Sequence, residues 1–330
     1  MMKSQLRSIV FASIILLTES VMVVKAAPVS VSVAQQANVE VVKLENYRVE
    51  LVITPSRGGS VTSFVDKMAR AELVLQQPYS GLCMDHFQEQ NWPGEFLEAP
   101  YEYKITKQDA QEVQVAVSRK ASGIWHDKLA NRKLSDILLE KTYTLSADSP
   151  VLSCTVKLTA PADEAKVFSY WLQNVFFAGG DYDAATDRTF RPSARGVRST
   201  GAENNSHYGS EDWMRDFSAG WMALIDTKKK SGLAMMTDYN DLRINYANVG
   251  NHTNEFMFNT TYLPKGQSRA YTVHLCPVTG IAKVLSVSPQ MIVGYSIQTD
   301  NHGKGKVDFQ VQRSAVAVKS VGLHAIVLRY

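Results

Sequence analysis

Apolar and polar residues alternate along most of this chain. Val113, Val115 and Val117 in EVQVAVSR share one face, and Leu152, Cys154, Val156 and Leu158 share another in VLSCTVKL. A period of two puts successive side chains on opposite sides of a strand. The alternation recurs in ILLEKTYTL, KVFSYWLQNVFF, GWMALID, GLAMMTD, EFMFNTTYL and SRAYTVHLC. Turn formers separate these runs, as at Ala147-Asp148-Ser149-Pro150, Pro264-Lys265-Gly266 and Asp300-Asn301-His302-Gly303. No long helical stripe interrupts them. Many short strands with regular turns predict an all-β sandwich or barrel.

Two segments break the rhythm. Residues 78–100 contain DHFQEQNWPGEF, which has large polar and aromatic groups but no strand or helix period. Residues 178–216 are long, polar and glycine-rich, yet carry Tyr182, Phe190, Tyr208 and Trp213. Unstructured loops of this length are uncommon in compact domains and are usually functional. Both are expected to be loops at the end of the sheet. The character changes again near Ser286, where MIVGYSIQTDNHGKGKVDFQVQ reads as a hairpin and SVGLHAIVLRY as one more strand. Residues 286–330 therefore form extra C-terminal strands, either completing the main sandwich or belonging to a small or incomplete module.

The first 26 residues change the picture of where the protein works. Lys3 and Arg7 precede the apolar run Ile9–Leu17, and Val24-Lys25-Ala26 offers small residues around a cleavage point. The apolar run is too short to span a bilayer. This pattern is that of a secretory signal peptide and predicts a secreted or periplasmic protein. A hydrophobic content of 45% supports a core. A net charge of +3 argues against a nucleic-acid partner. Lys228-Lys229-Lys230 reads as a solvated hairpin tip. Cys83, Cys154 and Cys276 are an odd number with no zinc spacing, so neither a metal site nor an obligatory disulfide is expected.

The run ENYRVELVITPSRGGSVTSFVDKMARAELV carries Gly58-Gly59, Asp66-Lys67 and Glu72-Leu73 at strand ends. It resembles the N-terminal strands of the galactose mutarotase-like superfamily. FMFNTTYLPKGQSRAYTVHLCPVTG, with Leu263-Pro264-Lys265-Gly266 at its turn, resembles a late hairpin of that group. The resemblance covers residues 38–285. It implies a large antiparallel β supersandwich that holds carbohydrate, a fold shared by aldose 1-epimerases, glycosidase and lyase domains, and binding proteins. It also implies a titratable His on a central strand. In WLQNVFF that position falls on Gln173 or Asn174, which cannot titrate, so standard aldose 1-epimerase action is not expected.

Most of the remaining chemistry lies in the two irregular segments. His86 is a candidate acid, base or hydroxyl ligand, with backbone-bonded loop histidine as the bland reading. Glu95 is a candidate carboxylate partner, since glycoside hydrolysis needs two converging carboxyls. Trp92 and Trp213 offer flat faces for a pyranose or serve as packing anchors. Gln88, Gln173, Asn174 and Tyr239 are candidate hydroxyl ligands. Arg191 and Arg195, with Arg198 beside them, would suit an acidic glycan, because guanidinium pairs bidentately with carboxylate or sulfate. Asp181, Asp183 and Asp187 form a partial calcium-loop pattern without its central Gly or final Glu. Three functions follow. They are an exported carbohydrate-binding protein in saccharide or polysaccharide processing, a lyase or glycoside hydrolase on an acidic polysaccharide, and a structural β protein of the cell envelope. Convergence of residues 85–96 and 178–216 on one face separates the first two from the third.

Overall fold

A computed structural model describes residues 28–74, 79–90, 92–123, 133–201, 211–299 and 305–314. The signal-peptide segment, Tyr208, the turn at 300–303 and the expected strand in 315–330 lie outside the described residues. Two large antiparallel sheets form the body. The first runs Ser30–Gln36, Val39–Glu45, Val49–Thr54, Ser60–Asp66, Gly81–Phe87, Tyr170–Val175, Thr253–Phe258, Leu242–Asn248, Glu211–Met214. The second runs Gly196–Thr200, Asp187–Ser193, Trp221–Asp226, Ser231–Thr237, Ser268–Thr279, Leu152–Thr159, Leu138–Ser146, Glu112–Lys120, Glu102–Gln108. The all-β sandwich expected from the alternation is present.

The period of two explains the core. Leu51, Phe64, Leu172 and Phe256 from the first sheet are buried with Val115, Tyr143, Cys154, Val156 and Val273 from the second. Burial of each such side chain contributes about 1.5–3 kcal/mol. One polar cluster lies within this apolar layer. Lys141 Nζ is 2.7 Å from Asp85 Oδ2, with neither side chain exposed. Asp85 also accepts from Tyr101 (2.9 Å) and Tyr170 (2.6 Å). Lys141 donates to the carbonyls of Gly58 and Cys83. Asp85 lies on the strand that carries His86, and Lys141 on the opposite sheet. The pair therefore fixes one sheet against the other. Gly58 has φ +62, and a Cβ there would meet the Leu97 carbonyl oxygen at 2.6 Å. Gly58 is thus required by close backbone approach.

Both irregular segments contain regular structure. Asp85, His86 and Phe87 end the Gly81–Phe87 strand, and Glu95–Glu98 is a single helical turn. Residues 178–216 are not one loop, because they supply strands Asp187–Ser193, Gly196–Thr200 and Glu211–Met214. Their polar character has a structural cause. Two of these three strands are the last members of their sheets. Lys228–Lys230 sits at the turn between Trp221–Asp226 and Ser231–Thr237. Trp221 and the three free cysteines are buried.

A three-stranded sheet, Val284–Val287, Met291–Thr299 and Gly305–Arg313, follows. Val284, Val287 and Ile292 pack with Trp221, Met236 and Cys276 on the side of the second sheet away from the main core. Gln312 ties it down, donating to the Pro277 carbonyl (2.6 Å) and accepting from Thr279 N (2.8 Å).

Candidate functional site

The first sheet has a second face, turned away from the core, and the site is on it. Met84 pairs with Gln173, Tyr246 with Glu255, and Trp213 with Tyr246. Trp171 opposite Met257 and Leu172 opposite Phe256 put Gln173 beside Glu255 by the same count. Met84, Gln173, Glu255, Tyr246 and Trp213 therefore form one transverse row. The neighbouring row is His86, Trp171, Met257 and Ile244. Ile244, Tyr246 and Met257 make a small apolar cluster with Trp171, separate from the main core.

The segment after His86 folds back over these rows. Trp92 Nε1 donates to Gln173 Oε1 at 3.2 Å. Its ring lies 4.7 Å from that of Tyr79 and is 52% exposed. Gly94, at φ +75, comes so close that a Cβ would lie 3.3 Å from His86 Nδ1. At the other end, Trp213 is 46% exposed and its ring is 4.5 Å from Tyr246. Glu211 accepts from Tyr246 OH (3.2 Å) and Trp213 Nε1 (3.4 Å). The two irregular segments thus contribute a tryptophan each to one row of one face.

Between those tryptophans are buried polar groups with unused hydrogen-bonding capacity. Among the described residues, His86 Nδ1, Trp171 Nε1 and Glu255 Oε2 are buried with no partner in good hydrogen-bonding geometry. Buried polar atoms are rarely left so, and a site that holds a ligand is one reason. Burial pushes the Glu255 carboxyl up to about 8, with the nearby polar groups of Trp171 and Gln173 opposing the rise. Burial pushes His86 down to about 4, opposed by the Pro93 carbonyl. At neutral pH the site therefore presents a carboxylic acid and an uncharged imidazole. Burial, with the carboxyls of Glu255 and Glu211, raises the Tyr246 hydroxyl, so it stays protonated. Glu255 was legible in EFMFN, where the period of two sets it with Met257 against Phe256 and Phe258. An acid at an interior strand position is the signal, and the irregular segments drew attention from it.

Other expected residues are placed elsewhere. Glu95 is buried and bonded to Arg119 (2.7 Å), Ser122 N (2.8 Å) and Gly123 N (3.1 Å), so it holds a loop and is not the partner of His86. Asn174 is structural, since Oδ1 takes the amide of Cys83 and Nδ2 reaches the Asn254 carbonyl. Arg191 is buried, donates to the carbonyls of Asp212 and Asn245, and pairs with the Asp212 carboxylate. Arg198 shares that carboxylate at 3.1 Å, and Arg195 lies in the exposed turn after Ser193. The expected arginine clamp is therefore not free for a ligand: Arg191 and Arg198 converge on Asp212, and Arg195 stands apart. Tyr239 is half-exposed in a short turn capped by Asp238 and packs against Phe217. Gln88 follows the His86 strand, with its amide 3.7 Å from Met257 Sδ. Asp181 pairs with Lys229, and Asp187 Oδ2 accepts from Asp183 N. Burial raises Asp187 to about 7. Among the described residues no group of three or more His, Cys, Asp or Glu is arranged to hold a metal.

Solved structures share this architecture. A galactose mutarotase-like protein from Clostridium acetobutylicum superposes with TM-score 0.56 at 11% identity, covering 77% of this chain and 99% of that one. The fold is galactose mutarotase-like. A candidate aldose 1-epimerase from Klebsiella pneumoniae subsp. pneumoniae gives TM-score 0.51 at 10% identity, covering 78% and 85%. A TPR-domain containing protein from Parabacteroides distasonis gives 0.53 at 12% identity over 73% of this chain, which spans only 47% of that chain. No protein-family model matches the sequence. No curated protein matches it either. At these identities the mutarotase-like likeness establishes a divergent fold, and activity must be argued from the site.

Proposed function

We propose that this protein is an exported carbohydrate-binding protein that holds a saccharide on the outer face of its first sheet. The carrying observation is the row from Trp92 to Trp213 with Gln173 and protonated Glu255 between them. Exposed indole faces suit the C–H face of a pyranose, and buried amide and carboxyl groups suit its hydroxyls. The N-terminal signal supports export, and fold neighbours named as mutarotase-like support a sugar ligand. Isothermal titration with D-galactose, D-glucose and their oligomers tests the reading. Trp92→Ala is expected to weaken binding about tenfold, the loss of roughly 1.4 kcal/mol of stacking.

A second reading rests on His86 and Glu255 together. They lie two strands and one two-residue step apart, roughly 12 Å between Cα atoms at ordinary sheet spacing. A pyranose fits between the side chains. Opening the ring needs a base at the anomeric hydroxyl and an acid at the ring oxygen. In this reading neutral His86 accepts the hydroxyl proton, protonated Glu255 donates to the ring oxygen, and the C1–O5 bond breaks to give the open aldehyde. Reclosure on the other face inverts the anomeric centre. Polarimetry on freshly dissolved α-D-glucose and α-D-galactose tests this. Rates indistinguishable from buffer would leave binding alone.

A further inference from the structure

Resting on the reading that this face binds a saccharide, we infer that Arg243 makes it prefer saccharides bearing an anionic group, a carboxylate or a phosphate. The pairing of Leu242–Asn248 with Thr253–Phe258 slips by one residue. Leu242 faces Phe258 and Ile244 faces Met257, leaving Arg243 as the extra residue. A bulge of this kind re-aims a side chain, and such bulges recur beside functional sites. Leu242 belongs to the core and Ile244 to the outer-face cluster, so the bulge falls where the strand exchanges faces.

Arg243 is only weakly engaged there. Its nearest hydrogen bond is from Nη1 to Thr260 Oγ1 at 3.5 Å. Its Nε is buried with no partner among the described residues. It forms no ion pair with any described residue. The nearby acids are committed or uncharged. Asp241, two residues back, pairs with Arg269. Glu89 accepts from Ser169 N at 3.1 Å. Glu255 is protonated at neutral pH. The hydroxyl that Arg243 reaches belongs to a hydroxyl pair. Thr260 Oγ1 is 2.9 Å from Ser169 Oγ, and among the described residues the side-chain amide of Gln88 reaches the sulfur of Met257. Arg243 lies three residues from Tyr246, the residue opposite Glu255, roughly 10 Å along the strand. That span matches a sugar ring whose reactive end meets Glu255 and whose distal substituent meets Arg243. A planar fork of donors facing hydroxyls is built for an anion, and a neutral hydroxymethyl group would leave it unsatisfied.

Titration of the full chain with D-galactose and D-glucose, their uronates and their 6-phosphates tests the inference. The expected result is at least tenfold tighter binding of the uronate or the 6-phosphate than of the parent hexose. The preference should be lost in Arg243→Met, partly kept in Arg243→Lys, and weakened by salt in the native chain. Parent hexose affinity should stay within twofold in Arg243→Met. The arm that responds to Arg243 identifies carboxylate or phosphate as the group recognised. Equal binding of charged and neutral sugars, or a preference untouched by Arg243→Met, overturns this inference while leaving saccharide binding intact. Absence of binding by every sugar overturns both.

Discussion

At the scale of single residues, two titrating groups of the outer face are shifted in opposite directions. Glu255 at about 8 and His86 at about 4 are both uncharged between those values. Any ring-opening rate should therefore plateau across that window and fall on both sides, and Glu255→Gln should lose the rate while keeping sugar affinity. Stability carries the same signature. The native state holds a proton on Glu255 that the unfolded chain releases above about 4.5, so stability falls as pH rises from there to about 8. The slope is about 1.4 kcal/mol per pH unit. Protonation of His86 opposes folding as pH falls from about 6.5 toward 4. Thermal melts from pH 5 to 8 should show Glu255→Gln gaining on the native chain as pH rises. A parallel course would mean that Glu255 is ionised in the fold. His86 and Trp92 stood out in the sequence because no strand rule explained their segment. Glu255 did not, because its strand obeyed the rule. Glu95 looked equally free, and only three-dimensional contact shows that Arg119 and two amides hold it.

At the scale of elements, alternation was enough to locate most strands, since burial of one face is what fixes their period. It failed where strands lie at sheet edges. There both faces tolerate polar residues, and residues 178–216, two of whose three strands are edge strands, read as loop. Register was also hidden, so the juxtaposition of Gln173 with Glu255 could not be read. The strand that carries His86 is held by Asp85 beneath it. Asp85→Ala would leave Lys141 charged and unpaired in the core, a loss of about 3–5 kcal/mol. Denaturant unfolding should show it as a large fall in midpoint. Asp85→Ala with Lys141→Met should recover much of the loss, because an apolar pair of similar volume avoids the buried charge. Little change in the single variant would mean that water reaches this layer.

For the whole molecule, the two sheets, the extra three-stranded sheet and the outer face have distinct roles. The first two make the core. The third covers the outer side of the second sheet, through Ile292 and its neighbours on Trp221 and Met236. Ile292→Ala should cost about 2–5 kcal/mol without altering sugar affinity, since that contact lies on the other sheet from the site. The central claim is that saccharide binds across the Trp92–Trp213 row. The most direct measurement follows the indole N–H resonances of the ¹⁵N-labelled protein as hexoses, uronates and hexose 6-phosphates are added. The signals of Trp92, Trp171 and Trp213 should move with saturation while that of Trp221 stays fixed. Movement of Trp221 alone, or no movement with any sugar, would contradict it.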